Sequence, residues 1–341
     1  MVNISLGEKN GIVREYLINS NTLIFQGNYL NGKRNGYGIE HYDNGKLKFE
    51  GEFLNGKKYN GKEYNKDGKI ELKFENGIGK GKQYSYRGTL EYEGLYQNGE
   101  KNGRGKEYSL NEIIFEGEYK NGKRNGKGNE YSNGKIDFEG EYKKGERNGK
   151  GKEYYYNGKT KFEGEYLNGK RNGRGREYYY NVNEIKFEGE YSNGKRWNGK
   201  GYNKNGNIEF QIKNGIGKGK EYTNDDELKF EGKYAKGERN GEGKEYSYGK
   251  LVFEGEYLNG ERNGKGKEYY YDGKLKFEGE YLNGKRLNGI GRNYYDNGNL
   301  QFEGEYLNGK RRRNGKGKEY YDNGKLKFEG EYLNGEIIKK S

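Results

Sequence analysis

The sequence predicts an all-β chain, a single elongated and twisted antiparallel sheet built from tandem β-hairpins. Three observations predict it. An aromatic residue returns at a nearly constant interval, the residues around it alternate between two faces, and 63 glycines punctuate a chain that has no proline. Self-similarity at a period of roughly 20–50 residues marks stacked repeat arrays.

The recurring ring is Phe25, Phe49, Phe74, Tyr92, Phe115, Phe138, Phe162, Phe187, Phe210, Phe230, Phe253, Phe277, Phe302 and Phe328. Most intervals are 23 to 26 residues, with two shorter ones before Tyr92 and Phe230. From Phe253 a full copy reads FEGEYLNGERNGKGKEYYYDGKLK. Strand side chains alternate faces, so Leu275, Phe277, Gly279 and Tyr281 share one side and Lys276, Glu278 and Glu280 the other. The segment Gly264 to Tyr269 alternates again. Asn-Gly marks the turns, with Asn283-Gly284 expected to open a longer loop and Asn323-Gly324 a tight hairpin. Glycine at this density disfavours helix, at about 1 kcal/mol per residue against alanine.

A lone sheet has no second layer for its aromatic face. Gly264 and Gly266 are expected to leave gaps where neighbouring rings lie flat on the backbone. On the other face Glu278 and Glu280 oppose Lys265 and Lys267, cross-strand pairs worth about 0.2–1 kcal/mol each.

The pattern F-E-G-E-Y-L-N-G-K-R-N-G-K-G-K-E-Y resembles the MORN repeat, with Phe162, Gly164, Tyr166, Gly169, Gly173 and Gly175 matching position by position. Phenylalanine stands for the usual first Tyr and Tyr for the common Trp, as in the variant class. The resemblance implies an elongated, twisted antiparallel sheet, usually in proteins that scaffold, dimerise or sit at membranes.

Residues 1–24 read as an N-terminal cap with a half-repeat at Gly11 to Tyr16. Residues 25–341 read as an array of about fourteen copies, closing on a half-repeat from Phe328 to Leu333. Roughly 28 strands at ~4.8 Å would extend about 130 Å if unbent, and so long an open sheet is expected to twist. Lys339 and Lys340 are placed to blunt the last edge. Tyr59-Asn60-Gly61-Lys62 and Trp197-Asn198-Gly199-Lys200 lie 138 residues apart, marking a six-repeat block duplicated near 49–186 and 187–324. Both short intervals follow these segments. They read as an inherited deletion or as a pair of kinks or docking notches.

Composition bounds the function. Leu, Ile, Val and Phe supply 56 of 341 residues, a disorder-like share, but the net charge of +13 is small and 38 Tyr add ring area. No cysteine excludes disulfides and thiolate sites, and the N-terminus lacks a secretory signal. An intracellular, cytoplasmic chain is the expectation, at a membrane only peripherally. His41 is the only histidine, so clusters of several histidine ligands are excluded, no cysteine can act as nucleophile, and no catalytic residue, metal site or cofactor is expected. The acidic loop Asn224-Asp225-Asp226-Glu227 lacks the spacing of a calcium loop.

Two surfaces stand out. The aromatic, glycine-lined face is expected to form a groove for a protein partner of unknown identity, with Tyr166, Phe187, Tyr191, Trp197, Phe253, Tyr257, Phe277 and Tyr281 as its contacts. Self-association as a homodimer is a further expectation. The alternative is an anionic phospholipid surface met by a basic stripe at the turns: Lys33, Arg34, Lys123, Arg124, Lys170, Arg171, Lys195, Arg196, Lys285, Arg286, Lys310, Arg311, Arg312 and Arg313. The near balance of Lys and Glu weighs against nucleic acid.

Overall fold

Alternation and Asn-Gly turns produce β-structure throughout the described residues, 10–18, 20–223, 225–306, 315–333 and 336–340 of a computed structural model. They form 29 strands and no helix, from β1 (Gly11–Tyr16) to β29 (Glu336–Lys340). The strand beyond the expected 28 is β29, whose backbone pairs Lys340 with Gly330 and Lys339 with Glu331. Contacts divide the chain into two compact units, residues 1–170 and 171–341. In each, strands pair antiparallel with their neighbours in sequence.

The repeat is clearest at β22 (Lys250–Leu258), β23 (Glu261–Tyr269) and β24 (Leu275–Leu282). Asn259 and Gly260 link the first two with φ of 51° and 89°. Two successive left-handed residues make the type I′ turn that suits twisted hairpins, and Asn and Gly tolerate that conformation best. The next link is five residues long. Tyr270 N donates to Lys274 O at 2.9 Å and Gly273 N to Tyr270 O at 2.9 Å.

The two turn types are therefore the reverse of the expectation. Asn283 and Gly284, at φ of 49° and 78°, are the whole of a two-residue turn between β24 and β25 (Lys285–Tyr294). Asn323-Gly324 lies within a five-residue link, where Gly324 alone of the two is left-handed, at φ 81°. The basic pair after the short turn consequently starts a strand instead of crowning a loop.

A bulge places those basic residues. Gly255 faces Gly266 while Tyr257 faces Arg262, so β23 carries extra residues between these pairs. Gly264 sits in that excess at φ 90°, a conformation that costs glycine nothing. It is a backbone hinge, not a floor for a ring. The floor is Gly266, where a Cβ would come within 2.6 Å of the Phe253 ring.

The core lies within the sheet's own aromatic face. Phe230, Phe253 and Phe277 are fully buried and Tyr257 and Tyr281 nearly so. Phe253 meets Tyr257 and Tyr281 edge to face at 5.7 and 5.1 Å, and Phe230 meets Tyr257 at 5.1 Å. Such pairs add about 0.5–1.5 kcal/mol each beyond their burial. The missing second layer is supplied by charged side chains. The Arg262 guanidinium lies 4.1 Å from the Phe253 ring centre, and it pairs with Glu245 and Glu268.

The two short repeats bring their flanking tips together. In the first unit β6 (Ile70–Glu75) and β7 (Ile78–Tyr84) are joined by Asn76-Gly77. Their tip is drawn in, with Gly77 N on Tyr59 O at 2.7 Å and Gly99 N on Gly77 O at 2.8 Å. The flanking tips then meet, Lys57 pairing with Glu100 at 2.9 Å. The second unit repeats this 138 residues on: Gly215 N on Trp197 O at 2.7 Å, and Lys195 with Glu238 at 2.5 Å. Whatever their origin, each is a short hairpin over which the flanking tips close.

Candidate binding groove

The structure sends most of the expected aromatic contacts inside. Phe187, Phe253 and Phe277 have no exposure, and Tyr166, Tyr191, Tyr257 and Tyr281 show 3–4%. They are the core, because neighbouring rings and the arginine layer cover them from the solvent side. Trp197 is half-buried, its ring against the drawn-in turn at Gly215. The exposed aromatic patch expected from the sequence is not present at these residues.

The basic stripe is corrected in the same way. Arg34, Arg124, Arg196 and Arg286 lie 3.8 to 4.7 Å from the ring centres of Phe25, Phe115, Phe187 and Phe277. Arg34 pairs with Glu15 at 2.9 Å, Arg124 with Glu107 at 2.7 Å, Arg171 with Glu177 at 3.5 Å, and Arg286 with Glu268. Among the described candidates, only Lys33, Lys123, Lys170, Lys195 and Lys285 project as exposed residues. Lys310, Arg311, Arg312 and Arg313 lie outside the described residues.

Glu177 shows how the layer works. It accepts from Arg196 Nε at 3.0 Å, Arg196 Nη2 at 2.5 Å and Tyr191 Oη at 2.8 Å. Burial alone would raise its carboxyl, but Arg196, Arg171 and the Tyr191 hydroxyl outweigh that and hold it at about 2. Burial, reinforced by Glu177, pushes the Tyr191 hydroxyl well up. This group is spent on structure.

The acidic loop is also occupied. Asp226 accepts from Tyr180 N at 2.8 Å and Asn181 N at 3.1 Å, with Lys186 Nζ at 3.4 Å and Lys204 Nζ at 3.7 Å. Its carboxylate clasps two loops together instead of waiting for a cation; residue 224 lies outside the described residues.

What the second unit does offer is a groove on the opposite, Lys/Glu face, about 880 Å³ in volume. Its floor is a line of glycines, Gly219, Gly232, Gly243, Gly255, Gly266 and Gly279, each facing the next across the ladder. Five strand spacings make that line about 24 Å long. Phenylalanine and tyrosine rings fill the far side of these glycines, so the near side is bare backbone. The walls are the residues before and after each glycine, and they bear both signs of charge. Along one wall acid and base alternate, with Lys220 to Glu209 at 2.9 Å and Lys267 to Glu278 at 3.3 Å. The pairing of Lys267 with Glu278, and the facing of Lys265 and Glu280, are as the alternation predicts. Phe210 is the one aromatic in the lining. A concave, glycine-floored and charge-walled channel can receive a narrow chain along its length.

Sequence comparison decides the family. The MORN repeat matches residues 25–46, 92–110, 115–136, 138–160, 162–181, 187–198, 230–249 and 253–274, and the MORN repeat variant matches 287–308 and 313–334. These segments cover more than half of the chain. The chain belongs to the MORN-repeat family. Its MORN array is a repeat scaffold, of a kind often used for protein or membrane interaction. No curated protein matches the sequence. Among solved structures, the crystal structure of TcdB2-TccC3-Cdc42 is similar at 11% identity and TM-score 0.22, over 92% of this chain and 15% of that one. The Tc holotoxin pore of Photorhabdus luminescens is similar at 13% identity and TM-score 0.18, over 94% of this chain and 17% of that one. The MORN chain thus spans less than a fifth of those chains, and likenesses this distant carry no argument.

Sequence reasoning passed over the groove walls because an alternating Lys/Glu face reads as solvated surface. A signal existed: Lys233 stands where F-E-G-E-Y has its second Glu, and Glu242 where N-G-K-G-K has its first Lys.

Proposed function

We propose that this chain is a non-catalytic scaffold that holds an extended segment of a protein partner in the glycine-floored groove of its second unit. The observation that carries the reading is the groove itself, whose bare backbone floor admits close approach and whose charged walls supply specificity. The carboxylates there serve ion pairs and recognition, so no reaction is assigned to them. A cysteine-free chain of this kind suits the cytoplasm.

The test is a pull-down from native lysate with the intact chain beside a Lys244→Trp, Lys267→Trp variant that fills the channel. Circular dichroism and a thermal melt establish that the variant folds. Partners lost by the folded variant support the groove; a full set of partners retained sinks it.

A second reading, peripheral association with anionic lipid, rests on the exposed lysines Lys33, Lys123, Lys170 and Lys285 at the two-residue turns. Flotation with phosphatidylserine vesicles that fades with salt supports it, and flotation indifferent to lipid charge removes it.

A further inference from the structure

We propose that the groove selects a partner segment whose charges come in blocks: two acidic residues, one spacer and two basic residues. The inference rests on the groove reading above and adds the chemistry of the occupant.

The ground is an exception in the cross-strand ladder. On the second wall of this unit base faces acid, as in Arg174 with Glu190, Lys265 with Glu280 and Lys316 with Glu331. At two steps, separated by one, the rule is broken. Lys218 faces Lys233, and Glu242 faces Glu256. Among the described strand pairs of the second unit these are the only like-charged partners, and all four residues line the groove. Like charges directly opposite one another destabilise a sheet. Lys233 and Glu242 offset part of that by pairing with each other at 2.8 Å. Across the ladder Lys218 still faces Lys233 and Glu256 still faces Glu242.

The wall therefore reads plus, plus, minus, minus across four consecutive strands. The centres of the two blocks are two strand spacings apart, about 10 Å. An extended chain advances about 3.3 Å per residue, so three residues carry it from one block to the other. Acid-acid-spacer-base-base matches that step. It would neutralise both like-charged pairs at once, which an alternating sequence of the same composition would not. Departures from a local rule that lower stability tend to collect at functional sites, and here both departures fall inside one channel.

Fluorescence anisotropy on the intact chain tests this, with labelled nine-residue peptides centred on Asp-Asp-Ser-Lys-Lys or on Asp-Lys-Ser-Asp-Lys. The block peptide is expected to bind about tenfold tighter than the alternating one. The exchange Lys233→Glu with Glu242→Lys restores base on acid throughout the wall. That chain should melt at least as high as the parent and lose the preference. Equal binding of the two peptides by the parent, or a preference kept after the exchange, overturns the proposal. If both peptides bind equally and Lys244→Trp abolishes both, the groove stands and the charge code falls. If neither binds, or Lys244→Trp changes nothing, the groove reading falls with it.

Discussion

At the scale of the residue, the repeat turns on a glutamate that strand parity forces onto the aromatic face. Glu177 lies directly across the ladder from Phe187. A carboxylate there is tolerable only with its charge and lone pairs engaged, and Arg196 does both while covering the ring. Removing the guanidinium leaves the buried carboxylate with only the Tyr191 hydroxyl and the longer Arg171 contact. Arg196→Ala is expected to cost about 3 kcal/mol in urea unfolding at neutral pH. Arg196→Lys should recover only part, since an ammonium lacks the two-pronged geometry. The same pairing sets an acid limit. Glu177 and Glu40 are each held at about 2, against burial, chiefly by Arg196 in the first case and Lys58 in the second. Glu107, Glu130, Glu221, Glu245 and Glu268 are lowered too, each with arginine overcoming burial. These carboxyls bind protons more weakly folded than unfolded. Their stabilisation is complete above the ordinary carboxylate range and vanishes as pH falls through the folded values. Urea midpoints should hold steady down to about pH 5 and fall steeply between about pH 4.5 and 2.

At the scale of the element, two kinds of link share one dipeptide. Asn-Gly forms the whole turn at 283–284, where both residues are left-handed, but only part of the five-residue link at 321–325. The consequence is a contrast between two identical substitutions. Asn283→Ala puts a β-carbon into a left-handed position and should cost about 1 kcal/mol. Asn323→Ala has no left-handed position to strain and loses only the exposed bond from Lys325 N to its Oδ1 at 3.0 Å, so it should cost about 0.5 kcal/mol. Thermal melts of the two variants measure it, and equal shifts would mean the turn assignment is wrong. The closed tips belong to this scale as well. Each arises because a hairpin of six- and seven-residue strands sits between longer ones, so the flanking tips close over it.

At the scale of the whole molecule, contacts run between chain neighbours, as in other repeat arrays where stability is a sum of local and nearest-neighbour terms. Damage should stay local. Phe253→Ala empties a site packed between Tyr257 and Tyr281 and should cost about 3–5 kcal/mol there. Hydrogen exchange is expected to rise across the strands from Leu228 to Leu282 and to stay unchanged at Leu326–Leu333. Uniform loss of protection would show a single cooperative unit instead.

The sequence by itself determined the repeat, its all-β class, the start of the first strand at Gly11, the alternation of Lys and Glu, and the duplicated block. All of these follow from spacing and parity, which the chain carries in one dimension. It did not determine which turn was tight, because Asn-Gly serves both links and the conformation depends on the strands it joins. Nor did it show that the Phe and Tyr rings are interior: hydropathy assigns Arg and Glu to the outside, and only the bulge at Gly264 turns Arg262 back over Phe253. The groove was the least legible part. Lys233 and Glu242 are visible in the repeat pattern as departures, but their meaning depends on facing Lys218 and Glu256 across neighbouring strands. That adjacency is a property of register, and register exists only once the hairpins have stacked.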